Sequence, residues 1–174
     1  MRKVSYGGAM SLDGFIAGPN GEYDWIVMDP DIDFAEMMGR FDTFLVGRKT
    51  FDAMRRMGSD MADLPGAKNI VFSRTMKPAD YPQLTISDDA ERTVAELRAT
   101  PGKDIALFGG GELFRSLLQA GLVDEVVFSV IPVLLGGGIP LLPSPAARTG
   151  LVLRKQRLYE KTGIIGLWYD IKRP

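Results

Sequence analysis

Along the chain, short runs of β-branched and aromatic residues alternate with segments whose apolar positions recur at helical spacing. The runs fall at Lys3 to Met10, Thr43 to Val46, Asn69 to Phe72, Leu84 to Ile86, Ile105 to Phe108, Glu125 to Val133, Leu151 to Tyr159 and Ile164 to Ile171, bounded by Gly, Pro or Asp. They predict about eight strands. Asp88 to Ala99 carries Glu91 three residues after Asp88, a capping-box-like start, and places Ala90, Val94 and Leu97 on one face. Glu112 to Ala120 sets Leu113, Phe114, Leu117 and Leu118 against Arg115, Ser116 and Gln119, and stops at Gly121. Thr50 to Met57 and Asp33 to Arg40 are shorter helix candidates. The last two strands follow one another around Lys161-Thr162-Gly163, which predicts a terminal antiparallel hairpin. The pattern predicts an α/β domain with a mixed, mainly parallel sheet flanked by about four helices.

Composition narrows the function. The 174 residues suffice for one domain, and neither repeat nor linker divides them; Pro140 to Pro145 is proline-rich but too short to do so. A formal net charge of -1 lacks the basic excess that binds a phosphate backbone, so no nucleic-acid partner is expected. No apolar run reaches membrane-spanning length and the N-terminus lacks a signal-peptide core, so the expectation is a soluble, cytoplasmic protein without a membrane partner. Cys and His are both absent. That removes disulfides, thiolate nucleophiles, His-dependent triads and the common zinc sites, and no metal site is expected. Proton chemistry would fall to carboxylates, Lys, Tyr, water or a cofactor.

Three strand ends carry anion-binding chemistry. In LFGGGELF the glycines Gly109, Gly110 and Gly111 lie between an apolar strand and the Glu112-Leu113 helix start, where bare backbone amides and the positive helix end can receive a phosphate. A tight turn explains the same glycines equally well. In FLVGRKTF, Gly47 is followed by Arg48, Lys49 and Thr50 entering a helix, although a solvated charged turn has the same composition. In KNIVFSRT, Ser73 and Arg74 follow Phe72 with a hydroxyl and a guanidinium. Ligands of open α/β sheets sit beyond the carboxyl ends of strands. A nucleotide with several phosphates fits that pattern, without a Walker loop or a GxGxxG fingerprint.

AMSLDGFIAG, DTFLVGRKTF, KNIVFSR, LFGGGELF and VDEVVFSVIPVLLGGG, in that order and covering nearly the whole chain, resemble the dihydrofolate reductase-like superfamily. The nearest resemblance is to the reductase domain of the riboflavin-biosynthesis deaminase/reductase. It implies a three-layer fold, NADPH as cofactor, and a Gly109-Gly110 pair against the pyrophosphate joined by a cis peptide. It further places Ala9 and Ile16 beside the nicotinamide, under a loop from Ser11 to Gly21. Arg48, Ser73 and Arg74 would hold the 2'-phosphate, and Thr50 with the backbone of Gly111 to Leu113 the bridging phosphates. Gly47, Lys49, Phe72 and Glu112 complete the expected cofactor contacts.

On the substrate side the resemblance makes Asp33 the candidate catalytic acid. Helical geometry puts Phe34, Met37, Met38 and Phe41 on one stripe with Asp33 on its flank. An alternative for Asp33 is a helix-start residue favoured by the dipole, with Phe34 and Met37 in the core. Trp25 either lines the pocket or anchors its loop, and Ser129 is a further substrate-side candidate. The implied reaction is hydride transfer to a small heterocyclic or sugar-linked molecule, of the 5-amino-6-(5-phosphoribosylamino)uracil reductase or dihydrofolate reductase type. A non-catalytic nucleotide- or flavin-binding module is the alternative. The long late strands, and pairing among family members, make a homodimer the expected assembly.

Overall fold

The computed structural model describes residues 1–58 and 66–173. A sheet of eight strands runs in the order β5-β4-β3-β6-β1-β7-β10-β9. Its members are β1 (Val4–Ser11), β3 (Phe41–Gly47), β4 (Lys68–Phe72), β5 (Thr85–Ser87), β6 (Asp104–Gly109), β7 (Glu125–Ile131), β9 (Leu151–Tyr159) and β10 (Ile164–Ile171). From β5 to β7 all neighbours are parallel; β10 is antiparallel to both β7 and β9. The helices are α1 (Phe34–Gly39), α2 (Arg48–Arg56), α3 (Ala90–Ala99) and α4 (Gly111–Gln119). The predicted mixed, mainly parallel α/β sheet with a terminal hairpin is the observed one.

Alternation along the strands sorts the core into two layers. Val4, Tyr6, Leu45, Ile105 and Leu107 point to one face and pack with Val94 and Leu97 of α3 and Leu113, Phe114 and Leu117 of α4. Phe44, Val46, Val71 and Ala106 point to the other face and pack with Phe51 of α2. Tyr6 is the central contact of the first layer, its ring stacked on Phe114 at 3.9 Å between centroids and edge-on to Phe128. Burial pushes the Tyr6 phenol far above its ordinary pKa, and its hydroxyl donates to the Leu141 carbonyl at 3.4 Å.

Several boundaries move, each for a local reason. α3 is capped by Asp89, whose carboxylate accepts the Arg92 amide at 3.0 Å, and not by an Asp88–Glu91 box. β7 stops at Ile131 rather than Val133 because Pro132 has no N–H for the ladder. β5 is shifted by one residue, to Thr85–Ser87. α2 starts at Arg48 rather than Thr50, so both cations fall in its first turn. Among the described residues a two-stranded ribbon, β2 (Phe15–Ala17) with β8 (Ile139–Pro140), and a 3-10 turn at Pro78–Asp80 accompany the main sheet. No helix among the described residues is long and apolar enough to cross a membrane.

Candidate functional site

The sheet splits where its two central strands part. β1 pairs with β6 only from Val4 to Tyr6, but with β7 from Ser5 to Ser11, while β6 follows β3 as far as Val46 opposite Gly109. Beyond Tyr6, β1 and β6 separate and leave a slot at their carboxyl ends. It opens into a cleft of about 710 Å³, the size of a small-molecule site. Gly7 and Ala9 of β1 and Phe108 of β6 line it, with Ala53 and Met54 of α2 and Met57 at its C-cap. Ile16, Ala17, Tyr23, Ile26, Ile139 and Pro140 contribute further apolar wall. A planar ring system suits such a lining.

Two helix starts meet at the slot. Gly47 is the N-cap of α2 and Gly110 the N-cap of α4, and neither helix has a side-chain cap hydrogen bond. By contrast α1 and α3, whose residues do not line the cleft, are each closed by an aspartate, Asp33 and Asp89. The two starts are close: a Cβ on Gly47 would lie 3.5 Å from the Gly110 amide nitrogen. Uncapped amides at the positive end of a helix are anion acceptors. Arg48 and Lys49 in the first turn of α2 sit at the wrong end of its dipole, a local conflict that an arriving anion resolves. Within the protein, Arg48 is paired with Asp52 at 2.7 Å, which raises its pKa and holds its guanidinium along the helix.

The three glycines have three reasons. Gly109 adopts φ +115°, a conformation L side chains rarely take, and its peptide to Gly110 is cis. Gly110 has an ordinary φ of -84°, but a Cβ there would stand 3.0 Å from Thr50 Oγ1. A Cβ on Gly111 would press on Pro143 Cδ at 2.8 Å and the Pro140 carbonyl at 3.0 Å. The turn is therefore built for close backbone approach from two neighbours, and not for chain reversal alone.

Of the residues expected at the cofactor, Ala9, Ile16, Gly47, Arg48, Lys49, Thr50, Phe72, Gly110, Gly111, Glu112 and Leu113 line this one cleft. Gly109 is outside the lining, and a Cβ on it would lie 3.8 Å from the Tyr6 ring. Ser73 and Arg74 stand just beyond Phe72, outside the lining; the Ser73 hydroxyl is occupied by the amides of Thr75 and Met76 at 3.2 and 3.1 Å. The substrate-side residues fall elsewhere. Asp33 is exposed and accepts the Glu36 amide at 2.8 Å as the cap of α1. Phe34 is 50% exposed, and Met37 is half-buried off the lining. Trp25 packs with Ala9 against the Ile131–Tyr159–Ile164 cluster and donates its indole N–H to the Glu22 carbonyl, anchoring its loop. Ser129 lies on β7 opposite Ala9. Sequence reasoning missed Tyr23, Ile26, Met54, Met57, Ile139, Pro140 and Pro143. The methionines followed a recognised helix start at helical spacing and were in principle legible; the others lie in irregular segments or in the two-residue strand β8, with no period to read.

A family model for the RibD C-terminal domain matches residues 2–162. The chain belongs to the RibD C-terminal domain family. It is 36% identical over 97% of its length to an uncharacterized protein of Bacillus subtilis (strain 168), YyaP, covering 94% of that protein. Among solved structures, a putative riboflavin biosynthesis protein from Shewanella sp. PV-4 superimposes with a TM-score of 0.81 at 27% identity, covering 99% of this chain and 100% of the other. A dihydrofolate reductase from Enterococcus faecalis, complexed with NADP(H) and RAB-propyl, superimposes with a TM-score of 0.71 at 17% identity, covering 98% and 97%. The chain therefore has the dihydrofolate reductase-like fold, in the form of a RibD C-terminal domain.

Proposed function

We propose that this RibD-type domain is an NADPH-dependent reductase acting on a small heterocyclic or sugar-linked molecule. The observation that carries the proposal is the meeting of two uncapped helix N-termini, at Gly47 and Gly110, beside a slot between parting parallel strands. The amides at Gly110 to Leu113 and Thr50 suit the bridging phosphates, and Arg48 with Lys49 suits the 2'-phosphate. Ala9, Ile16 and Phe108 suit the nicotinamide. The donor set fits the dinucleotide, and the bound complex of the Enterococcus relative agrees with that choice.

When bound, NADPH supplies a hydride from C4 of its ring. The protein's share would be orientation and exclusion of water: Gly7 and Ala9 leave room in the lining for a ring, and Met54 and Met57 would give it apolar contact. Asp33 caps its own helix and is absent from the cleft lining, so in this reading the proton would reach the product through water or another group of the lining. The substrate is a C=N or C=O compound of the aminouracil phosphoriboside or dihydropterin kind. The same proposal includes a cytoplasmic homodimer, its contact the uncovered strip of Leu151, Leu153, Leu158 and Ile165 on one face of β9 and β10. Sedimentation at micromolar concentration tests that contact.

The test is a fluorescence titration with NADPH and with NADH, followed by nucleotide oxidation at 340 nm against dihydropterins and aminouracil phosphoribosides. Preferential NADPH binding and turnover of one compound support the proposal. Binding without turnover favours a nucleotide-binding module, and binding of neither nucleotide removes the reductase reading.

A further inference from the structure

One carboxylate helps to hold the cleft wall that carries Ile16. Asp13, at the head of this wall, accepts the amides of Leu135 at 3.1 Å and Gly136 at 2.8 Å, more than a hundred residues away in sequence. Three neighbouring contacts tie the same two segments. The Leu12 amide donates to the Val133 carbonyl at 2.9 Å, the Leu141 amide to the Gly14 carbonyl at 3.0 Å, and β2 pairs with β8. Gly138 lies so close that a Cβ on it would collide with the Ala17 carbonyl. From the other side, the buried Ser11 hydroxyl accepts the Phe15 amide at 3.0 Å.

Both tied segments end in the cleft. The first delivers Ile16 and Ala17; the second delivers Ile139, Pro140 and Pro143. Pro140 and Pro143 in turn bear on Gly111, the first residue of α4, where the bridging phosphates are proposed to lie. We infer that Asp13 is a positioning residue which, by clamping Leu135 and Gly136, sets the nicotinamide wall and the phosphate turn together. The inference rests on the reading of the cleft as a nicotinamide site. Asp13 itself touches neither end. Its carboxyl is held below the usual carboxylate range by the Ser11 hydroxyl and then by the two amides, so the clamp is charged throughout the neutral range.

The other ties lie in the backbone and leave the clamp as the one link a side-chain substitution removes cleanly. Loosening it frees both walls at once, which acts on nucleotide release before it acts on global folding. The NADPH dissociation rate is measured by stopped-flow in the parent, Asp13→Asn, Asp13→Ala and Gly138→Ala, with hydrogen exchange of the nucleotide-free proteins alongside. Expected is release faster by about fivefold or more in Asp13→Ala, with a smaller effect in Asp13→Asn, which keeps one acceptor oxygen. Amides at Phe15 to Ala17 and at Ile139 lose protection in the same variant, while those of β3 and β6 do not. Gly138→Ala, which pushes the segments apart from the other side, gives the same release phenotype. Release within about twofold of the parent in both Asp13→Ala and Gly138→Ala overturns the inference. If the parent binds no NADPH, the functional reading falls. Exchange then decides the clamp alone, lost protection supporting it and unchanged protection overturning it.

Discussion

Thr50 stands directly against Gly110 in the glycine turn: the Thr50 hydroxyl oxygen lies 3.0 Å from where a Cβ on Gly110 would be. The backbone at Gly110 suits any residue, whereas that at Gly109, with φ +115°, does not. The two glycines are therefore separable by substitution. Gly110→Ala is expected to lower NADPH affinity about tenfold, close to 1.4 kcal/mol, with little change in thermal midpoint. Gly109→Ala is expected to cost about 1–2 kcal/mol of folding stability. Titration and urea denaturation of both variants check the pair of outcomes, and a loss of stability in Gly110→Ala with affinity intact contradicts them.

In the proposed reading Arg48 would meet the 2'-phosphate, yet in the structure it is engaged by Asp52 four residues on. Removing Arg48 and releasing it have opposite consequences. Arg48→Ala is expected to weaken NADPH by about tenfold or more while leaving NADH within about twofold. Asp52→Asn frees the guanidinium and is expected to leave NADPH binding equal or tighter. Parallel titrations with both nucleotides read the discrimination directly. Equal losses for NADPH and NADH in Arg48→Ala place the 2'-phosphate elsewhere.

How far the sequence reveals this site depends on whether its parts have a period. β9 and β10 fall where their β-branched and aromatic runs begin and end, because the hairpin turn at Gly163 and the flanking polar residues interrupt the pattern sharply. Gly47, Arg48, Gly110 and Gly111 are legible for a related reason: each stands at the junction of a strand period and a helix period. The wall formed by Ile139, Pro140 and Pro143 has no such junction. β2 and β8 pair through three and two residues, too few for alternation to show, and their partnership spans more than a hundred residues. Asp33 illustrates the opposite limit. Its spacing is compatible with a cap and with a catalytic acid, and the observed bond to the Glu36 amide shows the cap.

That bond makes a definite statement about Asp33. Asparagine is as good an N-cap as aspartate, so Asp33→Asn keeps α1 intact, and turnover is expected to stay within about twofold of the parent. Asp33→Ala removes the cap and is expected to cost about 1 kcal/mol of stability, again with kcat retained. A drop in kcat of about a hundredfold in Asp33→Asn, with NADPH binding unchanged, assigns the proton to this carboxyl after all.

Glu125 is buried to 2% exposure at the start of β7 and depends on Arg40, 2.5 Å away, with Arg154 at 3.7 Å. Arg40 also reaches Asp104 at 3.0 Å and so ties the end of α1 to β6 and β7. Removing one partner strands the buried carboxylate. Arg40→Ala is expected to destabilise by about 3 kcal/mol, at the low end for a buried pair because Arg154 remains and Arg40 is a third exposed. Arg40→Ala combined with Glu125→Gln is expected to recover part of that loss, since the uncompensated charge is gone. Urea midpoints of the single and double variants give the coupling.

Asp42 links pH to folding through a different contact. Partial burial pushes its carboxyl up, but the Lys103 amide at 2.8 Å, the Thr43 hydroxyl and the Arg2 guanidinium outweigh that and leave it below the usual range. Its folded pKa is thus lower than its unfolded one, near 3.9. Between the two values the unfolded chain binds more protons, so stability rises with pH through that interval and is lost as pH falls through the folded pKa. Asp42→Asn removes the titration. At pH 7 the variant is expected to be less stable by about 1 kcal/mol, the contribution of an amide bond and a partly exposed ion pair. The gap narrows as pH falls and the parent's carboxylate protonates. A gap that stays constant across the acid titration shows that the carboxylate's charge contributes nothing, and that Asp42 acts only through groups its amide replaces.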